Sequence, residues 1–139
     1  MPFQMDIHDF PLVHMVFEGE FDEHSWEADM LEIPKVVKKR GKFAFCIDCT
    51  NIGSITPNQR RTISKLVKND PYGAFAQCIA MGITLPATWQ RGMLTAIMWI
   101  TPFSMPVQAF KTHDETTAWV RSELTRAGVA DASDERLNF

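Results

Sequence analysis

Charge is nearly absent from the middle of this 139-residue chain. Between residues 71 and 110, Arg91 is the only charged side chain. A membrane span needs about 20 consecutive apolar residues in one helix, whereas Pro86, Pro102 and Pro106 interrupt this stretch. Proline breaks a helix interior because it lacks an amide hydrogen and clashes with the preceding turn. The stretch therefore does not fit a membrane anchor, and we expect it to be the buried centre of the fold.

The motifs of common enzyme classes are also missing. The sequence has no G-x-S-x-G elbow, no P-loop and no G-x-G-x-x-G. Asp48 is an acid close in sequence to two possible nucleophiles, Cys49 and Thr56, but no histidine is positioned in the sequence to act as the base. We expect no catalytic residues and no cofactor, with catalysis as a minor alternative.

Metal-ligand spacing is lacking too. Four histidines are spread along the chain: His8, His14, His24 and His113. Their separations match neither H-x-x-x-H nor a similar zinc-site pattern. From sequence spacing alone, we expect no metal site.

Cysteine is scarce, with three residues in all. Cys46 and Cys49 form a C-x-x-C pattern, which suggests redox activity in a cytosolic protein. However, three residues along a strand span roughly 10 Å, more than the roughly 7 Å limit for a disulfide, and the two side chains would point to opposite faces. We therefore predict that these two residues and Cys78 are buried free thiols, without redox or metal roles.

A strong net charge is also lacking, and we expect no secretory signal. The 14 basic and 17 acidic residues leave a net charge of −3, which favours neither nucleic acid nor an anionic membrane as a partner. The first ten residues do not resemble a secretory signal, so the cytoplasm is the expected location. Length and a 45% hydrophobic content predict one domain over residues 1–128, followed by a flexible tail at 129–139.

The chain does contain a regular alternation of strand and helix patterns. Strands are predicted at 3–8, 12–18, 42–48, 74–83 and 105–110, and helices at 23–40, 57–69, 87–101 and 113–127. Continuous apolar strands are typical of parallel sheets covered by helices, and the short link between the first two strands makes that pair antiparallel. We predict an α/β sandwich with a mixed, mostly parallel sheet of four or five strands and about four helices. Pro34 should kink or break the first helix.

Polar residues follow the third strand. Asp48 ends that strand, a polar loop containing Ser54 follows, and Thr56 precedes Pro57 as an N-cap before a proline at the first helical position. Parallel sheets present ligand or partner surfaces at the carboxyl ends of their strands. This turn is therefore a candidate interaction surface.

Three segments are similar to a known family: FEGEFDEHSW, KFAFCIDCTNIGSITPNQRR and AFKTHDETTAWV. Between about Leu12 and Leu124 the sequence resembles the STAS domain superfamily, and in particular the SpoIIAA-like branch of anti-sigma-factor antagonists. The resemblance implies a STAS-like sandwich that regulates a protein partner, with a phosphorylatable hydroxyl at the start of the second helix. Thr56 is nearest to that position, with Ser54 two residues earlier. Because Pro57 replaces a small residue and the acid–serine pair is missing, we expect Thr56 to act as an N-cap.

The resemblance also implies binding of apolar ligands or loose membrane association, with the third helix as a movable cover. One stripe of the predicted helix 87–101 should face the sheet: Trp89, Met93, Ala96, Ile97 and Ile100. Leu94, Met98 and Trp99 fall outside this stripe, so the helix is apolar nearly all round. Coverage by the chain itself or by a homodimer partner is slightly favoured over a lipid-like ligand.

Two functional hypotheses follow. The first is a non-enzymatic regulator that contacts a protein partner through the turn and helix at residues 48–61, where Asp48, Ser54 and Thr56 are the candidate residues. The second is a carrier or sensor of an apolar molecule or membrane surface acting through helix 87–101. Its candidate residues are Trp89, Met93, Met98 and Trp99.

Overall fold

The structure is a computed structural model that describes residues 3–129. Within that range, five strands and four α-helices occur in the predicted order, as follows. They are β1 (Phe3–Asp6), β2 (Leu12–Phe17), α1 (Glu23–Val37), β3 (Phe43–Asp48), α2 (Pro57–Asn69), β4 (Cys78–Thr84), α3 (Thr88–Ile100), β5 (Val107–Phe110) and α4 (His113–Arg126). Two short 3-10 turns, Pro71–Gly73 and Phe75–Gln77, precede β4.

The strands form one sheet in the order β1-β2-β3-β4-β5. The β1–β2 pair is antiparallel and the other three pairs are parallel. This confirms the α/β class and the mixed, mostly parallel five-stranded sheet. None of the described helices combines the length and the apolar content that crossing a membrane requires.

Two apolar cores lie on opposite faces of the sheet. Alternate residues of β3 point to opposite sides, so Phe45 belongs to the larger core with residues of α1 and α2. Ala44 and Cys46 belong to the smaller core beneath α4. Small side chains allow α4 to approach closely, because a Cβ at Gly82 would lie 2.6 Å from Val120 Cγ2.

Of the kink or break predicted at Pro34, the break is wrong, since α1 continues through this proline to Val37, and the kink stays a prediction. The proline lies in the last turn, and its carbonyl still accepts a hydrogen bond from the Lys38 amide at 3.0 Å. The predicted end at Arg40 is three residues too late. Lys39 already has a positive φ of 62°, so the chain turns before Gly41 is reached.

The predicted strand 74–83 begins late because Asp70 captures its first amides. One carboxylate oxygen accepts from the Phe75 amide at 2.6 Å and the other from the Ala76 amide at 3.1 Å. These bonds hold the segment in a 3-10 turn, and β4 starts at Cys78.

The last helix ends at the boundary predicted for the tail. The Gly128 amide donates to the Thr125 carbonyl, and the Val129 amide donates to the Leu124 carbonyl at 2.9 Å. With Gly128 at φ +73°, this is a Schellman cap. Val129 also packs against the smaller core, whereas the rest of the predicted tail lies outside the described residues.

Candidate functional site

Helix α3 is attached to the body of the protein at both ends. Near its N-terminus, the buried Gln90 amide donates to the Thr50 carbonyl at 3.1 Å and lies 3.5 Å from the Cys49 and Ile52 carbonyls. At its C-terminus, the Ser64 hydroxyl donates to the Ile100 carbonyl at 2.6 Å. The helix therefore bridges the loop after β3 and the middle of α2.

An apolar cavity of about 140 Å³ lies between α3 and the sheet; we call it the α3 cavity. Its walls come from β2, β3, β4 and the three helices on this face, and include Phe45, Ile83, Val67, Met93 and Ile97. Gln90 is the one amide side chain among the residues that line it. Because that amide is already bonded to the loop, the α3 cavity offers a ligand almost purely apolar contacts.

The orientation of α3 differs from the predicted stripe. Ile97 is buried, and Met93 and Leu94 are half-buried at the cavity wall. Trp89 and Ile100, which were predicted to face the sheet, are instead exposed. The reason is the Gln90 amide: its bonds to the loop carbonyls rotate the helix so that residues 90, 93, 94 and 97 face inward.

The outer surface of α3 carries large exposed apolar side chains. Trp99 is 83% exposed and Trp89 is 53% exposed, and Met98 and Ile100 are exposed beside them. The described chain does not cover Trp89, Met98 or Trp99, so their coverage by a homodimer partner stays a prediction. Of the four candidate residues on this helix, only Met93 lines the α3 cavity.

The turn before α2 is held by local hydrogen bonds. The Thr56 hydroxyl accepts from the Gln59 amide at 3.1 Å, and the Gln59 side chain accepts from the Thr56 amide at 2.9 Å. This capping box confirms the predicted N-cap. The Thr56 hydroxyl proton is donated to the Glu23 carboxylate, so a phosphate on Thr56 would lie beside another negative charge.

The other two candidate residues of this turn differ in environment. Asp48 is half-buried and accepts from the Thr50 amide at 3.0 Å and from the Thr50 hydroxyl at 2.6 Å. Such bonds are typical of an aspartate that forms a turn. Ser54 is exposed. A regulatory role for Asp48, Ser54 and Thr56 stays a prediction.

The three cysteines are free and buried, as predicted. Cys46 lies in the core beneath α4, and Cys49 lies in the core on the other face. Burial raises the pKa of Cys49 and of Cys78 to about 12. Burial also raises the pKa of Cys46, so neither thiol of the C-x-x-C pattern is ionised near neutral pH, which argues against redox activity there.

Sequence reasoning missed two sets of residues. Gln90 is a polar residue in an apolar helix, and this contrast was a usable signal for an anchoring role. The second set is a cluster in which one ligand atom from each residue lies within 4.8 Å of the other two: His14, Cys46 and His113. No sequence spacing marks that cluster, because strand pairing and the start of α4 assemble it.

Comparison of the chain with protein-family models gives no match, and no curated protein matches it either. The resemblance to the STAS superfamily therefore stays a prediction.

Proposed function

We propose that this protein binds a small apolar molecule in the α3 cavity, with α3 as the cover. The observation that supports the proposal is the volume of about 140 Å³ lined by apolar side chains. Native cores are close-packed and contain few voids larger than one water molecule. Dry apolar cavities of about 150 Å³ take up benzene or xenon, so this space suits an aromatic ring or a short acyl chain.

The attachment of α3 fits a cover that opens. Its two ends are tied by the Gln90 and Ser64 hydrogen bonds, whereas its middle contributes only half-buried Met93 and Leu94 and the buried Ile97 to the wall. Methionine is flexible and adapts to differently shaped ligands. A small displacement of this middle segment would admit a ligand without breaking either end.

A second candidate is a regulator that docks onto a protein partner, as the STAS resemblance implies. The exposed outer surface of α3, with Trp99 at 83% exposure, favours it, because exposed apolar patches mark interaction sites. The two candidates share an element: the loop that follows Asp48 supplies the carbonyls that hold Gln90. A partner bound at residues 48–61 would therefore act on the cover of the cavity.

The cytoplasm is the location we propose with this function. The three free thiols fit a reducing compartment.

Binding is tested with the full chain and two probes, benzene and decanoate. Native mass spectrometry of freshly purified protein should show a retained hydrophobic adduct, and both probes should raise the melting temperature. Val67→Phe places a ring in the α3 cavity and should abolish both effects.

Trp99→Ala is the matched control because Trp99 does not line the α3 cavity, so this variant should bind both probes normally. Loss of binding in Trp99→Ala together with normal binding in Val67→Phe would contradict the proposal. It would place the apolar ligand on the outer surface of α3.

A further inference from the structure

A cluster of three metal-ligating side chains lies on the α4 face of the sheet, away from the α3 cavity. One ligand atom from each of His14, Cys46 and His113 lies within 4.8 Å of the other two. His14 and Cys46 are directly paired on β2 and β3, and His113 is the first residue of α4. Cys46 is fully buried, whereas both histidines are half-buried, so the cluster can be reached from solvent.

A chain of hydrogen bonds fixes the tautomer of His113. The Thr116 hydroxyl donates to the Thr112 carbonyl at 3.1 Å, so it accepts from the Thr84 hydroxyl at 2.8 Å. The Thr84 hydroxyl has then used its proton, and it accepts from His113 Nδ1 at 2.9 Å. The lone pair of the neutral ring is therefore on Nε2, which lies 4.0 Å from Cys46 Sγ.

This arrangement is the one that metal-binding histidines adopt. Such histidines donate their second ring N–H to a protein oxygen, which orients the ring and raises its basicity as a ligand. Thr84 has that role for His113. His14 has a carboxylate partner as well, since its Nε2 lies 3.1 Å from Asp9 Oδ2.

The two donor types, imidazole and thiolate, and the geometry favour Zn²⁺. Zinc is bound by thiolate sulfur and imidazole nitrogen at about 2.3 and 2.0–2.1 Å, which places tetrahedral ligands about 3.3–3.7 Å apart. The present separations of up to 4.8 Å need a contraction of about 1 Å, within the reach of two half-buried rings that move toward a fixed sulfur.

We infer that His14, Cys46 and His113 form a binding site for Zn²⁺, with a fourth position open to water. Metal binding releases the thiol proton of Cys46 to solvent, because a cysteine ligates zinc as the thiolate. Three protein ligands and one open position are the arrangement of zinc sites that bind a further molecule. This site is separate from the proposed apolar ligand, because Cys46 points to the opposite face of the sheet from Phe45 and Ile47.

The test uses the full chain after removal of metals with EDTA. Zn²⁺ should bind with one-to-one stoichiometry in competition with a chromophoric chelator and raise the melting temperature. Co²⁺, used as a spectroscopic probe, should show tetrahedral visible bands and a sulfur-to-cobalt charge-transfer band.

Four variants locate the metal. Cys46→Ser should remove the charge-transfer band, and His113→Gln should weaken Zn²⁺ binding by more than 100-fold. Thr84→Val removes the oxygen that accepts from His113 Nδ1 but leaves all three metal ligands in place, so it should weaken binding by about 10–100-fold. His24→Gln, at an exposed histidine on α1, is the matched control and should bind Zn²⁺ as the unaltered chain does.

Circular dichroism establishes which variants are folded. If Cys46→Ser does not fold, His113→Gln still tests the site, because it replaces a half-buried side chain. Three results would overturn the inference: no saturable binding of Zn²⁺, binding unchanged in folded Cys46→Ser and His113→Gln, or loss of binding in His24→Gln. The trio would then be a hydrogen-bonded part of the core only.

Discussion

Replacing Val67 by phenylalanine tests whether the α3 cavity is open space or packed core. Val67 is a buried residue of α2 that lines the cavity. At about 24 cal/mol per Å³, a void of about 140 Å³ corresponds to about 3 kcal/mol of stability that a filled core would have. A phenyl ring fills part of that volume and buries additional apolar surface, so Val67→Phe should be neutral or should stabilise by about 1–2 kcal/mol.

Val120 provides the matched control on the other face of the sheet. It is fully buried, and its Cγ2 would lie 2.6 Å from a Cβ at Gly82, so no space is available there. Val120→Phe should therefore destabilise by about 1–3 kcal/mol or more, the usual result of overpacking. The same chemical change thus has opposite expected signs at the two positions.

Urea unfolding measures both variants against the unaltered chain. With an m-value of about 2 kcal/mol/M, a gain of about 1 kcal/mol moves the midpoint up by about 0.5 M. The midpoint should stay or rise for Val67→Phe and fall for Val120→Phe. A similar loss of stability in the two variants would refute the reasoning, because it would mean that the α3 side of the sheet is as tightly packed as the α4 side.

Three further predictions concern buried or capping side chains. The buried Thr101 hydroxyl has no hydrogen-bond partner among the described residues, so Thr101→Val should raise the free energy of unfolding by about 1 kcal/mol. A lower urea midpoint for this variant would mean that the hydroxyl has a hydrogen-bond partner. Thr56→Ala removes the N-cap of α2 and should lower the free energy of unfolding by about 1 kcal/mol. Thr56→Ser keeps the capping hydroxyl and should lower it by much less, so equal losses in the two variants would exclude the cap as the cause. Burial raises the pKa of Cys49 and Cys78 from 9.0 to about 12, so both thiols lose their protons at lower pH in the unfolded chain than in the folded chain. The free energy of unfolding should therefore fall as the pH rises from 9 toward 12, by up to about 1.4 kcal/mol per pH unit for each thiol. Replacing both thiols by alanine should flatten that fall, and an unchanged slope would assign it to other groups.

Local signals in the sequence were sufficient for the order of the elements. The apolar runs around Phe45 and Ile83 predicted central parallel strands, and Thr56 followed by Pro57 predicted the start of α2. These features depend on neighbours in sequence, which is why they could be inferred without coordinates. The late start of β4 was missed because Asp70 bonds to amides five and six residues away.

The candidate sites depend on contacts that sequence periodicity does not contain. The inward face of α3 is set by Gln90, whose partners lie about 40 residues away in the chain. The cluster of His14, Cys46 and His113 arises from strand register and from the placement of α4. Hydrophobic spacing predicted that α3 has more than one apolar face, but not which face covers a cavity.

The most direct test of the proposed function is a crystal structure of the chain under xenon pressure, with a parallel crystal soaked in benzene. We expect electron density for both ligands between α3 and the sheet, in contact with Phe45, Ile83 and Ile97. Val67→Phe crystals should lack that density. An α3 cavity without xenon or benzene in the unaltered chain, with neighbouring side chains filling the space, would contradict the account.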